Sequence, residues 1–94
     1  MNAKFLPAKF RLGKIAVSQN ALAHLTQDDI LLGIQRHQAG DWGDVDDHDR
    51  QENELSLKES LRLWSVYHSV NGIKFWIITE ADRSATTILL PKDY

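Results

Sequence analysis

Cysteine is absent from the 94 residues of this sequence. Disulfide bonds and thiolate-based metal sites are therefore excluded, and the composition is compatible with a reducing compartment such as the cytoplasm. No apolar run approaches the roughly 20 residues that a membrane-spanning helix requires. The first residues lack the uninterrupted apolar stretch of a signal peptide. We therefore expect a cytoplasmic protein that does not enter a membrane.

The chain has too few residues for a second core, and its 43% hydrophobic content is normal for a globular protein. We expect a single domain over residues 1–94, with a short basic N-terminal arm over about residues 1–9. The net charge is only −2, which argues against tight binding to a phosphate backbone. Nucleic acid is therefore not the expected partner. The acidic residues concentrate in the middle of the chain: Asp41, Asp44, Asp46, Asp47, Asp49, Glu52 and Glu54.

Three helices are predicted in the first two thirds of the chain. Ser18 is a suitable N-cap for a short helix over "QNALAHL", and Thr26 for a second helix. Gly40 supplies a left-handed stop for the second helix. Either Asp44 or Asp46 caps a third, mostly polar helix that runs to about Lys58 and is expected to pack only shallowly.

The remaining segments predict strands. "KFRLGKIAV" indicates an early strand with a glycine bulge. Asn71-Gly72 joins two β-rich runs and is a strong hairpin signal, and "ATTILLP" returns as a further strand that ends at Pro91. A two-residue turn predicts four cross-strand pairs: Val70 with Ile73, Tyr67 with Trp76, Val66 with Ile77, and Trp64 with Thr79.

These elements predict an α+β fold, in which about three short helices pack on a mainly antiparallel sheet of three to four strands with a C-terminal β-meander. The middle strand, residues 73–80, carries apolar side chains on both faces. One face is expected to lie on the helices. The other face requires partial cover or a partner, because large bare apolar patches are unusual on monomers. A homodimer is therefore one hypothesis.

The segment "RHQAGDWGDVDDHDRQEN", residues 36–53, offers several metal-ligand side chains. Its spacing does not fit an EF-hand, because counting from Asp44 places Asp49 at the glycine position and Leu55 at the final glutamate position. Helix capping and a solvated acidic face explain the segment better. We therefore predict no metal and no other cofactor.

His37 is the candidate general base, since it lies near a helix end beside the Gly-Asp-Trp-Gly loop. A structural role, in which its ring bonds a loop carbonyl or Asp41, is the favoured alternative. The "TEADR" turn would have to approach His37 to complete a site of the RNA-cleaving kind. The candidate catalytic residues are His37, Asp41, Glu80, Asp82 and Arg83.

A binding role is the competing hypothesis. Trp42 is either a loop anchor on the core or an aromatic hot spot of an interface. The acidic third helix is a candidate mimic of a phosphate backbone, although its charges are spread around the helix. The candidate binding residues are Trp42, Asp46, Asp49, Asn53, Tyr67 and Trp76.

The segments "RHQAGDWG", "SVY" and "WIITEADRSATTILLPKDY" resemble a family of small uncharacterised proteins of bacterial plasmids, integrative elements and phages. Some members are labelled type I restriction methylase subunits, a label that a chain this short does not justify. The resemblance covers residues 10–94, nearly the whole chain. It is most specific at the C-terminal end, through Trp76, Thr79, Glu80, Asp82, Arg83, Thr87, Leu90, Pro91 and Tyr94.

The resemblance implies a mobile-element setting and no particular activity. Our leading functional hypothesis is a small cytoplasmic accessory protein that binds a host protein or itself. The alternative is a metal-independent, RelE-like or barnase-like ribonuclease that uses His37 with Asp82 and Arg83. The second hypothesis rests on a loose analogy in the order of helices and strands.

Overall fold

The structure is a computed structural model that describes residues 7–94, so most of the expected basic arm lies outside the described residues. Residues 7–94 fold into three α-helices, four β-strands and a final 3-10 turn. In chain order these are β1 (Lys14–Val17), α1 (Gln19–His24), α2 (Gln27–Gln38), α3 (Asp47–Glu59), β2 (Leu63–His68), β3 (Lys74–Thr79), β4 (Ala85–Leu89) and the 3-10 turn (Pro91–Asp93).

The four strands form one mixed sheet in the order β1-β4-β3-β2. Strands β2, β3 and β4 make the antiparallel C-terminal meander, and β1 adds to β4 in the parallel direction. The predicted α+β fold is therefore confirmed. The early strand is shorter than predicted, since Gly13 has a positive φ and regular pairing begins at Lys14. The last strand also ends earlier than predicted, at Leu89 and not at Pro91.

Side-chain caps start the three α-helices where the sequence predicted them. Ser18 accepts a hydrogen bond from the Ala21 amide, and Thr26 forms a reciprocal capping box with Asp29. Asp46 caps α3 by accepting from the Asp49 amide, which resolves the choice between Asp44 and Asp46. No helix in residues 7–94 has the length and hydrophobicity that a membrane crossing requires.

The predicted hairpin register is wrong by one residue. The strands pair Tyr67 with Phe75 and Val66 with Trp76, whereas the two-residue turn predicted Tyr67 opposite Trp76. The cause is a longer connection, in which the Ser69 amide donates to Ile73 O across residues 70–72 and Gly72 takes a φ of 81°. A shift of one residue moves every side chain of one strand to the other face of the sheet.

One face of the sheet packs on the first two helices. Its core cluster comprises Ala21, Leu25, Tyr67, Phe75, Ile77, Ile88 and Leu90, with Ile30 and Ile34 of α2 packed against it. The opposite face carries Trp64, Val66, Trp76, Ile78 and Leu89, which follow from the observed register. Helix α3 does not cover this second face completely, since Trp64 and Trp76 remain partly exposed.

The outer edge of β2 is covered by neighbouring polar and backbone groups. The Val66 amide donates to Trp42 O, and Val66 O accepts from the Asp44 amide, so residues 42–44 act as a short parallel strand. The Asn53 side chain of α3 donates to Trp64 O and accepts from the Trp64 amide at 2.7 and 3.0 Å. These contacts block pairing of another chain along β2 and fix α3 beside the sheet.

Candidate functional site

His37, the predicted general base, lies in the interior of the protein with no exposed surface. Its Nδ1 is 2.6 Å from Ser65 Oγ, and its Nε2 is 2.9 Å from Thr79 Oγ1. The ring also meets Phe10 and Trp42 edge-to-face, at centroid distances of 5.1 and 5.7 Å. Both ring nitrogens are therefore engaged, and aromatic side chains enclose the rest of the imidazole.

The hydroxyl groups next to His37 determine its tautomer. Thr86 Oγ1 donates its proton to Leu12 O at 2.7 Å, so in its 2.7 Å contact with Thr79 Oγ1 it is the acceptor. Thr79 then donates to Thr86 and accepts from His37. This order places the His37 proton on Nε2 and leaves Nδ1 to accept from Ser65.

Burial lowers the pKa of His37 from 6.5 to about 3, and the nearby positive charge of Arg83 acts in the same direction. The imidazole is therefore neutral at physiological pH. A general base must reach its substrate, directly or through one water. The described geometry gives His37 a structural role, as the centre of a buried hydrogen-bonded chain.

Asp41 lies in the turn after α2 and is engaged by Arg36. The Arg36 guanidinium contacts both Asp41 carboxylate oxygens, at 2.7 and 3.3 Å, and this pairing holds the pKa of Asp41 below its usual value. Tyr67 donates its hydroxyl proton to Asp41 O at 2.5 Å, and Arg36 also stacks over the Tyr67 ring. The predicted bond between His37 and Asp41 is replaced by these contacts.

The Arg83 side chain connects the C-terminal end of α3 to the turn that joins β3 to β4. Its guanidinium donates to four backbone carbonyls, those of Ser56, Leu61, Glu80 and Ala81. Nη1 makes three of these contacts and Nη2 makes one, so the backbone already occupies the Nη1 side of the guanidinium.

The two acidic residues of the same turn are also held locally. Asp82 accepts from the Ser84 amide, and Glu80 lies 3.9 Å from the Arg62 guanidinium. Of the five candidate catalytic residues, His37 lies in the interior and Asp41 lies in the turn after α2. The other three, Glu80, Asp82 and Arg83, lie in the turn between β3 and β4, and the five do not line a common cleft.

The candidate binding residues divide into three groups, which are buried, occupied as a helix cap, or located in a cleft. Trp42 and Tyr67 are buried, with 1% exposure each, and the Trp42 indole donates to Glu54 Oε2 at 2.8 Å. Asp46 is occupied as the α3 cap. The other three, Asp49, Asn53 and Trp76, line one open cleft.

This aromatic cleft lies on the incompletely covered sheet face, between α3 and the end of the chain. It has a volume of about 460 Å³, within the range of roughly 300–1,000 Å³ that is usual for ligand pockets. Its lining is mostly apolar. The residues that form it are His48, Asp49, Glu52, Asn53, Ser56, Leu61, Arg62, Trp64, Trp76, Ile78 and Tyr94.

Three aromatic rings form a continuous row in the cleft. Trp64 meets Trp76 edge-to-face at 5.0 Å, and Trp76 meets Tyr94 in the same way at 5.6 Å. The 3-10 turn positions Tyr94 because Asp93 accepts from Ser18 Oγ and Asn20 Nδ2, at 2.7 and 2.6 Å. The C-terminal end is thereby fixed to the first helix.

Polar groups at the cleft come from α3 and from the residues before β2. Asp49 and Glu52 lie on the helix wall, and Arg62 stands opposite with its guanidinium over the Tyr94 ring. At the exposed start of α3, ligand atoms of Asp46, His48 and Asp49 lie within 4.8 Å of one another, close enough to share a cation. Asp46 and Asp49 are also the cap and third residue of the helix, which explains their proximity without an ion.

Comparison with known proteins finds no matching protein-family model, no matching curated protein and no matching solved structure.

Residues that the sequence did not predict as site residues complete the hydrogen-bonded chain at His37 and the aromatic row. Ser65, Thr79 and Thr86 lie in strands, and only the folded sheet brings their hydroxyls into one chain with His37. Trp64 was not predicted as a cleft residue, because the predicted register placed it on the opposite sheet face from Trp76. Tyr94 reaches the cleft through the contacts of Asp93 with distant residues. The sequence does show a tryptophan on each of two paired strands. Whether the two side chains share a sheet face depends on the length of the hairpin loop.

Proposed function

We propose that this protein acts by binding a protein partner, and that the aromatic cleft is its binding surface. The observation that carries the proposal is the open row of Trp64, Trp76 and Tyr94 on a sheet face that the protein's own helices leave partly uncovered. Tryptophan and tyrosine contribute most to binding where they are packed in a pocket and surrounded by polar groups. The cleft combines both features.

The proposed setting is that of a small cytoplasmic accessory protein of a bacterial mobile element. Support for this setting comes from the sequence pattern that ends in "WIITEADRSATTILLPKDY" and from the absence of cysteine. Binding is favoured over ribonuclease activity because His37 has no exposed surface and backbone carbonyls engage both terminal nitrogens of Arg83.

Site-specific photo-crosslinking tests the cleft as a binding surface. The photoreactive amino acid p-benzoylphenylalanine replaces His48, at the cleft, or Val70, which is 94% exposed in the hairpin loop. After irradiation of bacterial cells that express each variant, we expect a discrete adduct from position 48 and none from position 70.

The mass of the adduct distinguishes the two kinds of partner. An adduct with the mass of two copies of this chain would indicate self-association, and any other discrete mass would identify a separate protein. Equal adduct patterns from both positions, or no adduct from position 48, would contradict the proposal.

A further inference from the structure

The indole N–H groups in the aromatic cleft lack hydrogen-bond acceptors. Trp64 Nε1 and Trp76 Nε1 are both buried, and neither has a partner among the described residues. The third indole behaves differently, since Trp42 donates to Glu54. A buried donor without an acceptor is destabilising, because it has lost its hydrogen bonds to water. A ligand that supplies acceptor oxygens would therefore gain from the two cleft tryptophans.

Access to these N–H groups requires movement of the rings. Each nitrogen is shielded in the unbound protein, so an acceptor reaches it when an indole rotates toward the open side of the cleft. Such side-chain changes at a binding surface are common even where the backbone stays fixed.

The shape and lining of the cleft favour an apolar group beside those acceptors. Ile78 lies on the floor with the two indoles, and Leu61 lies at the rim with 48% of its surface exposed. Burial of an aliphatic or aromatic side chain against these groups removes apolar surface from water and so favours binding.

The charges around the cleft favour a cation. Arg62 is already compensated, since it lies 3.9 Å from Glu80 and stacks on Tyr94. Glu52 has no ion pair among residues 7–94, and Asp49 contacts only the neighbouring His48 at 3.7 Å in the described part of the chain. The uncompensated charge is negative, which opposes a nucleic-acid backbone.

We propose that the aromatic cleft binds an extended peptide segment that carries a large apolar side chain next to lysine or arginine. Main-chain carbonyls of the segment accept from the Trp64 and Trp76 indoles, the apolar side chain packs on the aromatic row, and the basic side chain pairs with Glu52 and Asp49. A short peptide supplies these three kinds of group at adjacent positions. The inference rests on the proposed function and specifies its ligand.

Two-dimensional 1H–15N NMR tests the inference, because the three indole N–H groups give separate signals that single Trp→Phe variants assign. The probes are capped pentapeptides with the sequences Ser-Lys-Leu-Lys-Ser, Ser-Glu-Leu-Glu-Ser and Ser-Lys-Ser-Lys-Ser, together with single-stranded oligothymidylate. We expect the basic-apolar peptide to shift the Trp64 and Trp76 signals and leave the Trp42 signal in place. Its affinity should exceed that of each other probe about tenfold, or roughly 1.4 kcal/mol.

Charge reversal on α3 supplies the matched control. Glu52→Lys should weaken binding of the basic-apolar peptide about tenfold and improve binding of the acidic-apolar peptide. Glu59→Lys makes the same charge change on the same helix, outside the residues that line the cleft, and should alter neither affinity by more than about twofold.

The outcomes separate this inference from the proposed function. Preference for the acidic-apolar peptide, for the polar peptide or for oligothymidylate would overturn the peptide chemistry and leave the cleft as a binding surface. Concentration-dependent indole shifts without a probe, with a dimer mass by light scattering, would identify a second copy as the occupant and overturn it as well. If no probe shifts the indoles, the inference fails, while the crosslinking result at position 48 still decides the proposed function.

Discussion

A proton on His37 would place a positive charge in the interior of the protein, among aromatic rings and buried hydroxyl groups. The unfolded chain accepts this proton near pH 6.5, and the folded protein accepts it only near pH 3. Between these values the unfolded state binds more protons. The free energy of unfolding should therefore fall as the pH is lowered through this window, by at most about 1.4 kcal/mol per pH unit.

Urea unfolding between pH 5 and pH 7 measures this dependence in a range where the carboxylates are already ionised. The slope should flatten in His37→Gln, which removes the titrating group, and persist in the control His24→Gln on the exposed surface of α1. An unchanged slope in His37→Gln would contradict the assignment. Should that variant fail to fold, side-chain 15N shifts of the wild type test the same point, since they report a neutral ring with its proton on Nε2.

The sequence left the role of His37 open for a physical reason. Its position near the end of a helix suits both a catalytic base and a structural residue. The difference lies in Ser65 and Thr79, which are 28 and 42 residues away along the chain. Only the folded sheet brings these hydroxyls to the ring, so no local pattern distinguishes the two roles.

At the scale of elements, the covering of the β2 edge depends on glycine at position 43. Gly43 has a φ of 73°, and an added Cβ would overlap Val66 O and the Tyr67 ring. Gly72 has a similar φ of 81°, but nothing lies within 4 Å of its Cβ position. Alanine substitutions at the two glycines therefore distinguish the energetic cost of backbone strain from the cost of steric overlap.

We expect Gly72→Ala to lower the free energy of unfolding by about 1–2 kcal/mol, the cost of a left-handed backbone for an L-residue. Gly43→Ala should cost a further 1–3 kcal/mol or so, because residues 42–44 must move away from β2. Urea denaturation measures both. The exposed edge should also increase aggregation of Gly43→Ala in light scattering, and equal stability of the two variants would show that the 42–44 contact contributes little.

Helix boundaries could be predicted from the sequence and strand register could not. Ser18, Thr26 and Asp46 act within three residues of the amides that they cap, so their signals are local. Register depends on whether the hairpin loop has two or three residues, and an Asn-Gly pair is compatible with both. The sequence therefore predicted the β2–β3 hairpin correctly and assigned the side chains of one strand to the wrong face.

At the scale of the whole molecule, Asp93 connects the C-terminal 3-10 turn to the first helix. Its hydrogen bonds with Asn20 and Ser18 lower its pKa below the usual 3.8, so their stabilising effect is present above that value and is lost as the pH falls through the lower, folded-state pKa. The same bonds hold the Ser18 cap and the Tyr94 end of the aromatic row.

Asp93→Ala should increase amide hydrogen exchange both in α1 and in the residues around Tyr94, because it removes the hydrogen bonds that hold these two segments together. The neighbouring Lys92→Ala, an exposed position, serves as the control and should leave exchange unchanged. Faster exchange confined to residues 90–94 would show that the first helix does not depend on this connection.

The aromatic cleft is formed by distant parts of the chain, and for this reason it could not be predicted from the sequence. The two-sided apolar pattern of the middle strand predicted only that the second sheet face needs partial cover or a partner. The cleft itself requires the observed register, the Asn53 contact that holds α3 at the edge, and the Asp93 contact that positions Tyr94. Each of these relations joins distant parts of the chain.

The parallel pairing of β1 with β4 also determines when the protein can finish folding. Lys14 pairs with Ala85, so the first strand has no partner until the last strand has been synthesised. Such distant pairings raise the contact order, and a high contact order slows folding. During translation β4 is made after the other three described strands, so the edge of β1 stays open until β4 has left the ribosome. Of the four described strands, β1 is therefore made first and is among the last to become ordered.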